Sequence, residues 1–377
     1  MIQDDPMKDD PPLPPRKETF LARYSRRSKL TVTGLALVGL VALSYALGHF
    51  ASGDGPERDA GGAYHHGPKI HGAETEHAGK KAGGKGTPPS SAAATSQGAA
   101  ISAVALNKQD DRTVAMASAP DLGLVENTGQ GELPRIGEDG RQPWQVYARP
   151  YNEADQRPRL AILVADLGLS QTITETAVNR LPTNVTLAFD VQSPAIAAWC
   201  ARARQEGHET LISVPMEPFD YPRSDPGSHT LLTTAADSAN LKKLTWSLKQ
   251  GTGYVGITTT TGTRFLADTE KLKTVMRALH DRGLMAVDTH ISPHSVMTDL
   301  AHTQQVPVAI ADERIDEDLS PQAIDAALAH LEQTARLNGH ALGVVAPLPI
   351  VIDHVQKWLK TLPDHGVALA PVSAVAQ

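Results

Sequence analysis

Short apolar runs alternate with amphipathic segments from Arg159 to the C-terminus. This alternation is typical of α/β folds, since an apolar run of about four to eight residues suits a buried strand. Roughly eight such units in about 220 residues predict one domain, either an open doubly wound sheet or a barrel. The predicted strands, with helices between them, are 160–164, 185–189, 210–214, 254–258, 284–287, 306–310, 342–345 and 367–369.

Capping residues mark several of the predicted helix ends. Ser292 and Ser320 are each followed by a proline, and a hydroxyl before a proline favours a helix start. Asp268 is predicted to open another helix. Gly283 and Gly339 stand where helices are expected to end in a left-handed residue.

The N-terminal part of the chain has a different pattern. Residues 30–50 carry no Asp, Glu, Lys or Arg, and about 21 residues in a helix span roughly 30 Å of hydrocarbon. Basic residues are frequent in the segment 1–29 and sparse directly after residue 50, which places the N-terminus in the cytoplasm. The prediction is a single transmembrane helix with the bulk of the chain on the other side; a cleaved signal peptide is the alternative.

The segment 51–150 is rich in Gly, Ala, Ser, Pro and His and has few bulky apolar residues. Such a composition cannot bury enough apolar surface to offset the entropy lost on ordering. We therefore predict a disordered linker over 51–150 and a folded domain over 151–377.

Composition and charge exclude some classes of protein. The net charge of -7 argues against a nucleic-acid partner, because a nucleic-acid-binding domain normally presents a basic face. The single cysteine, Cys200, excludes an intrachain disulfide framework and a metal site built from several cysteines.

In either predicted architecture the functional residues lie at the carboxyl ends of the strands. The segment after the first strand, ADLGLS, lacks the glycine spacing of a dinucleotide-binding loop and the GK[ST] of a P-loop, and the chain has no GxSxG motif. The polar candidates that follow predicted strands are Asp166, Glu217, residues 258–264, Asp288, His290 and Asp312.

Six segments resemble, in their order, the divergent polysaccharide deacetylase family of bacterial envelope proteins. They are LAILVADLGLS, LISVPMEPFDY, DPGSHTLLT, GYVGITTTTGTRF, DTHISPHSV and VVAPLPIVID. The resemblance covers about residues 158–375 and implies an α/β fold, namely a distorted (β/α) barrel of the polysaccharide deacetylase type. It also implies an envelope polysaccharide or peptidoglycan-type glycan as partner. The resemblance does not cover the linker or the predicted transmembrane helix, but a membrane-tethered chain suits the family. Together with the helix predicted over residues 30–50, it leads us to expect a single-pass protein of the bacterial inner membrane with the C-terminal domain in the periplasm.

The resemblance further implies a divalent metal such as zinc, bound by one aspartate and two histidines, and a second aspartate as base. A metal of this kind activates water by lowering its pKa from 15.7 to about 7. At the matching positions, the paired aspartates fall at Ala165 and Asp166, and the histidines fall at Thr260 and Ala346. A hydroxyl and a methyl group cannot replace two nitrogen ligands, so we expect neither a bound metal nor another cofactor.

Five residues remain as candidates for the site. Asp166 and Glu217 are predicted to be catalytic; in the alternative, Asp166 pairs with a helix N-terminus and Glu217 fixes its own loop. Arg264, Asp288 and His290 are predicted to bind substrate. A structural salt bridge is the alternative for Arg264, and a polar loop position is the alternative for His290.

Two functions follow from these residues. The sequence favours a degenerate, non-catalytic domain that binds carbohydrate or another envelope component. The alternative is a metal-dependent hydrolase that removes acetyl groups from envelope polysaccharide or peptidoglycan amino sugars, with a metal recruited through Asp166, Asp288 and His290.

Overall fold

The computed structural model describes residues 114–377. The predicted basic segment 1–29, the predicted transmembrane helix 30–50 and the first part of the predicted linker lie outside these residues. Between residues 114 and 377, every helix is too short or too polar to cross a membrane.

The last part of the predicted linker belongs to the folded domain. Residues 114–150 contain the antiparallel strands β1 (Val125–Asn127) and β2 (Glu132–Pro134) and the helix α1 (Pro143–Val146). Leu124 and Tyr147 are buried in the core. The linker prediction is therefore wrong for this part of the chain, because a few large apolar side chains anchor a segment that is otherwise polar.

Nine strands of the described chain form one sheet. Its path runs in the order β8, β7, β6, β5, β4, β3, β10, β9, with β11 also beside β3, and every neighbouring pair is parallel. The strands are β3 (Arg159–Leu167), β4 (Thr186–Asp190), β5 (Thr210–Ser213), β6 (Gly256–Thr259), β7 (Met285–Asp288), β8 (Val308–Ile310), β9 (Glu313–Arg314), β10 (His340–Val345) and β11 (Ala368–Ala370).

Helices connect the strands, as the alternating pattern predicts. They are α2 (Gln171–Arg180), α3 (Ile196–Gln205), α4 (Asp237–Leu248), α5 (Thr269–His280), α6 (Met297–Gln304), α7 (Pro321–Asn338) and α8 (Pro349–Leu359). Two short 3₁₀ helices cover Phe265–Ala267 and Val372–Val375.

The two ends of the strand path are joined by a short piece of chain. The strand β8 pairs with β7, and β9, which begins three residues after β8 ends, pairs with β10 at the other end of the path. The expected α/β class is confirmed, in the form of a half-barrel of parallel strands. The short strand β9 was not predicted, since a two-residue polar strand has no apolar pattern of its own.

The two faces of the sheet bury two different sets of side chains. In β3, Leu160, Ile162 and Val164 belong to the cluster packed under the helices. Ala161 and Leu163, which alternate with them, belong to a smaller cluster on the inner face of the half-barrel. This follows from the two-residue period of a strand, and it explains why β3 reads as a continuous apolar run.

The amino ends of the strands are closed by the C-terminal 3₁₀ helix. Its Val372 and Val375 join the inner cluster, and the backbone N–H of Val372 donates to the hydroxyl of Thr186 at the start of β4. The Glu209 carboxylate, just before β5, accepts hydrogen bonds from the N–H and the hydroxyl of Ser373. The opposite, carboxyl ends of the strands are therefore the place where a ligand can approach the inner face.

Most of the predicted helix ends are confirmed. Ser320 caps α7 with its side chain, Asp268 caps α5, and Gly339 ends α7 in the left-handed region. The start predicted after Ser292 is wrong: α6 begins at Met297. The Ser292 hydroxyl instead contacts the carbonyl of Thr263 and the N–H of His294 within a turn.

Candidate functional site

A cavity of about 170 Å³ lies at the carboxyl ends of four adjacent strands, β3 to β6. The ends of these strands and the residues directly after them supply its walls. Its polar side chains are two carboxylates, one amide and three hydroxyls. The lining residues are Asp166, Asp190, Gln192, Ser213, Val214, Pro215, Pro226, Thr260 and Thr261. We call this cavity the carboxylate pocket.

Asp166 reaches the carboxylate pocket through an irregularity in β3. The register between β3 and β4 shifts between Val164 and Leu167, and Asp166 has a φ of 56°. Left-handed backbone is uncommon outside glycine, and such strain occurs preferentially at functional sites. The Thr260 hydroxyl donates a hydrogen bond to Asp166 Oδ2. Thr260, which stands where the resemblance implies a metal-binding histidine, therefore contacts Asp166 directly.

Asp190 is a second carboxylate in the same pocket that the sequence analysis missed. It is the last residue of β4, and its Oδ1 accepts the N–H of Gln192 at 2.7 Å. Burial, together with the nearby negative charge of Asp166, raises the pKa of Asp190 above its ordinary value. Its place at the carboxyl end of a predicted strand was the feature that could have identified it.

Glu217 does not line the carboxylate pocket. Its side chain is 2 % exposed. Oε2 accepts the backbone N–H of Thr233 at 2.5 Å and the Thr233 hydroxyl at 2.8 Å, and Oε1 accepts from Arg264 at 3.0 Å. These contacts hold the loop between β5 and α4, which is the loop-fixing alternative that the sequence analysis left open.

Arg264 is the partner of Glu217 in the ion pair described above. One guanidinium nitrogen pairs with Glu217, and another donates to the carbonyl of Phe219 at 3.1 Å. The structure thus places Arg264, which follows β6, in a salt bridge with the loop between β5 and α4, and its side chain is partly exposed.

Asp288 is the last residue of β7, and His290 lies two residues beyond it. Asp288 is 3 % exposed, and its carboxylate accepts the N–H of His290 at 2.9 Å and the Ser295 hydroxyl at 2.6 Å. His290 is exposed and has a φ of 54°. Neither residue lines the carboxylate pocket.

The donor set does not fit the catalytic metal that the resemblance implies. Zinc in a hydrolytic site takes three protein ligands, mostly imidazole nitrogens, whereas the carboxylate pocket offers carboxylates, an amide and hydroxyls. Among residues 114–377 no group of three or more His, Cys, Asp or Glu side chains has an arrangement that could hold a metal ion. Recruitment of a metal through Asp166, Asp288 and His290 is therefore not supported by their placement.

Relatives of this chain are found among both sequences and solved structures. It is 24% identical over 206 residues to the uncharacterized protein YibQ of Escherichia coli (strain K12), over 54% of this chain and 63% of that protein. It is 23% identical over 206 residues to an uncharacterized protein of Haemophilus influenzae, over 55% of this chain and 72% of that one. The match thus spans somewhat under two thirds of the length of the Escherichia coli relative.

A solved structure is similar to the folded part. The crystal structure of the uncharacterized protein ATU2773 from Agrobacterium tumefaciens C58 aligns with a TM-score of 0.63 and 38% identity, over 65% of this chain and 99% of that one. The family description "Divergent polysaccharide deacetylase" matches residues 162–376, which is more than half of the 377 residues. This chain therefore belongs to the divergent polysaccharide deacetylase family.

Proposed function

We propose that this protein binds a glycan of the bacterial envelope at the carboxylate pocket without hydrolysing its acetyl groups. The contact between Thr260 and Asp166 carries this proposal. At the position where the resemblance implies a metal-binding imidazole, Thr260 instead carries a hydroxyl that donates to Asp166. The Asp166 carboxylate thereby remains available as a hydrogen-bond acceptor, but the residues that line the pocket within 114–377 include no imidazole to hold a hydrolytic metal.

The chemistry of the pocket supports a sugar as the ligand. Carboxylate oxygens accept hydrogen bonds from hydroxyl and amide groups, and the hydroxyls of Ser213, Thr260 and Thr261 can donate or accept. Hydrogen bonds in which one partner is ionised are stronger than neutral ones. A ring that presents several hydroxyl or amino groups at once matches this set of acceptors.

Glycan binding and acetate release are to be measured on the full chain purified in detergent. We expect calorimetric binding of chitooligosaccharides and of peptidoglycan fragments, and no acetate above the protein-free background, with or without added Zn²⁺ or Co²⁺. Binding without turnover is expected because Asp166 and Asp190 can hold a sugar, whereas neither supplies a metal-bound water. Metal bound at one ion per chain, with acetate release that disappears in Asp166→Asn, would establish the hydrolase instead.

The position of the domain in the cell is a second part of the proposal. Residues 30–50 are proposed to anchor the chain in the inner membrane, with the folded domain in the periplasm; the apolar run and the basic segment before it support this. The full chain is expected to stay in the membrane pellet after alkaline carbonate extraction, and a variant lacking residues 1–50 to be released. Release of both proteins would contradict the anchor.

A further inference from the structure

The neighbouring helices α4 and α5 carry an excess of positive charge. Together with the residues directly after each helix, the segments 237–249 and 269–282 contain seven Lys or Arg residues and three Asp or Glu residues. The chain as a whole has a net charge of -7. Positive charge is therefore concentrated at this pair of helices, against the overall balance of the chain.

Three of these seven cations are held by partners within the domain. Lys243 donates to a backbone carbonyl at 2.7 Å, and Lys271 and Arg282 pair with carboxylates at 2.7 Å and 3.0 Å. The other four side chains have no hydrogen-bond or ion-pair partner among residues 114–377. They are Lys242, Lys249, Lys273 and Arg277, and we call them the cationic face. Their charges remain available to an anion outside the domain.

A cavity of about 350 Å³ lies between α4 and α5 at the cationic face. Leu241 of α4 lines one side, and the residues of the other side are Glu270, Lys273, Thr274, Arg277, Ala278 and Asp281. Lys273 and Arg277 are one helical turn apart and border the cavity together. Glu270 lies one turn before them and Asp281 one turn after, so the cations lie between the two carboxylates along the helix. An ammonium and a guanidinium group side by side suit the oxygens of a phosphate.

The described chain begins close to the cationic face. Ala119 packs against Gly253, which follows the end of α4 by five residues and Lys249 by four. The segment that precedes residue 114 therefore joins the domain near the end of α4. If residues 30–50 anchor the chain, the tether holds this side of the domain near a membrane, and tethering raises the effective concentration of the surface that the face meets.

The composition of the cationic face favours a lipid surface over a partner of fixed shape. Three of its four members are lysines, whose ammonium groups act as point charges on flexible stems. Clusters of about four to eight Lys or Arg residues are typical of proteins that bind anionic lipids, and each residue near such a surface strengthens binding about fivefold. A layer of headgroup phosphates presents many anions without requiring a particular arrangement of donors.

We infer that the cationic face docks the domain on an anionic phospholipid surface, with the phosphate of a headgroup in the cavity between α4 and α5. This inference rests on the anchor in residues 30–50 that is part of the proposed function, and it adds an orientation of the domain on the membrane. The cavity at the cationic face shares no lining residue with the carboxylate pocket. A docked domain therefore keeps the carboxylate pocket available to its ligand.

The test uses the full chain reconstituted in nanodiscs that contain a spin-labelled lipid as a fluorescence quencher. A bimane fluorophore is attached at Thr245→Cys, one turn after Leu241 on α4; Cys200 is buried. Bimane is expected to be quenched in nanodiscs that contain phosphatidylglycerol. Quenching is expected to be lost with phosphatidylcholine alone, and in 1 M NaCl, where the Debye length is about 3 Å. Bimane at Ala329→Cys, an exposed position of α7, is expected to remain unquenched throughout.

Matched double variants identify the charges responsible. Lys273→Gln with Arg277→Gln is expected to lower the ratio of docked to undocked protein about thirtyfold, at about fivefold per cation. Lys357→Gln with Lys360→Gln makes the same change of net charge at two exposed positions at the end of α8, and it is expected to leave quenching unchanged. Both double variants are expected to retain glycan binding, because neither changes a residue that lines the carboxylate pocket.

The outcomes separate docking from the anchor. Docking is wrong if bimane at position 245 is unquenched with phosphatidylglycerol, is quenched equally with phosphatidylcholine alone, or responds in the same way to both double variants. Elution of the full chain together with the nanodiscs would in each of these cases still support the anchor. If the full chain elutes separately from the nanodiscs, the anchor fails, and docking fails with it.

Discussion

Glu209→Ala is expected to lower the free energy of unfolding by about 4 kcal/mol, because it leaves several buried donors without an acceptor. The Glu209 side chain is fully buried. Its carboxylate accepts the Thr186 hydroxyl at 3.0 Å, the backbone N–H of Arg149 at 3.2 Å, and both the N–H and the hydroxyl of Ser373. These donors come from three separate parts of the chain, so the loss is expected to loosen the closed amino end of the half-barrel.

The pH dependence of stability gives this prediction a second readout. Burial raises the pKa of Glu209 above its ordinary value of 4.5, and its hydrogen-bond donors only partly oppose that shift. A carboxyl whose pKa is higher in the folded state contributes stability that is complete below pH 4.5 and is lost as the pH rises through the folded pKa. Glu209→Gln removes this titration, but it turns a side-chain NH₂ group toward neighbouring hydrogen-bond donors that need an acceptor.

Urea denaturation across the pH range measures both effects. Glu209→Gln is expected to be less stable than the unmodified protein, and the difference is expected to be largest near pH 4 and to shrink as the pH rises above 4.5. Glu206→Gln, an exposed position three residues earlier, serves as the control and is expected to change stability by less than about 0.5 kcal/mol. A difference that stays constant with pH would contradict the raised pKa of Glu209.

Asp166→Asn is expected to weaken glycan binding by at least about tenfold while the fold remains intact, since a hydrogen bond to a charged group contributes about 1.5–3 kcal/mol. Asparagine tolerates the left-handed backbone at φ 56°, and its Oδ1 still accepts from Thr260. The substitution therefore removes the negative charge and little else. Asp318→Asn, an exposed carboxyl before α7, is the matched control and is expected to leave binding unchanged.

An NMR titration of Asp190 tests the same substitution without a ligand. The negative charge of Asp166 contributes to the raised pKa of Asp190, after the larger effect of burial. In Asp166→Asn the pKa of Asp190 is expected to fall toward its ordinary value without reaching it. An unchanged pKa of Asp190 would show that the two carboxylates do not interact across the carboxylate pocket.

The apolar pattern predicted the strands well because buried parallel strands are nearly continuous apolar runs. The predicted strand 160–164 lies within β3, and 342–345 lies within β10. Elements without such a run were missed: β9 is Glu313–Arg314. The linker prediction failed for residues 114–150 because Leu124 and Tyr147 are anchored by contacts with distant parts of the chain.

The candidate site residues likewise fall into those whose place the sequence predicted and those whose place depends on tertiary contacts. Asp166 was identified by its position after a strand, and Asp190 could have been identified in the same way. Glu217 and Arg264 also follow strands, yet they pair with each other and brace a loop. A position at the carboxyl end of a sheet thus brings a polar residue near the site, but its neighbours decide whether it faces the cavity.

The sequence by itself determined most of the strands and helices, the family, and the residue types at positions 260 and 346, where the resemblance implies imidazoles. Those features depend on local periodicity and on residue identity. Only the tertiary structure decided that Thr260 donates to Asp166 across 94 residues, that Asp190 shares their pocket, and that Ser373 satisfies Glu209 across 164 residues. Partners so far apart in the chain are set by the packing of the half-barrel, which no local pattern encodes.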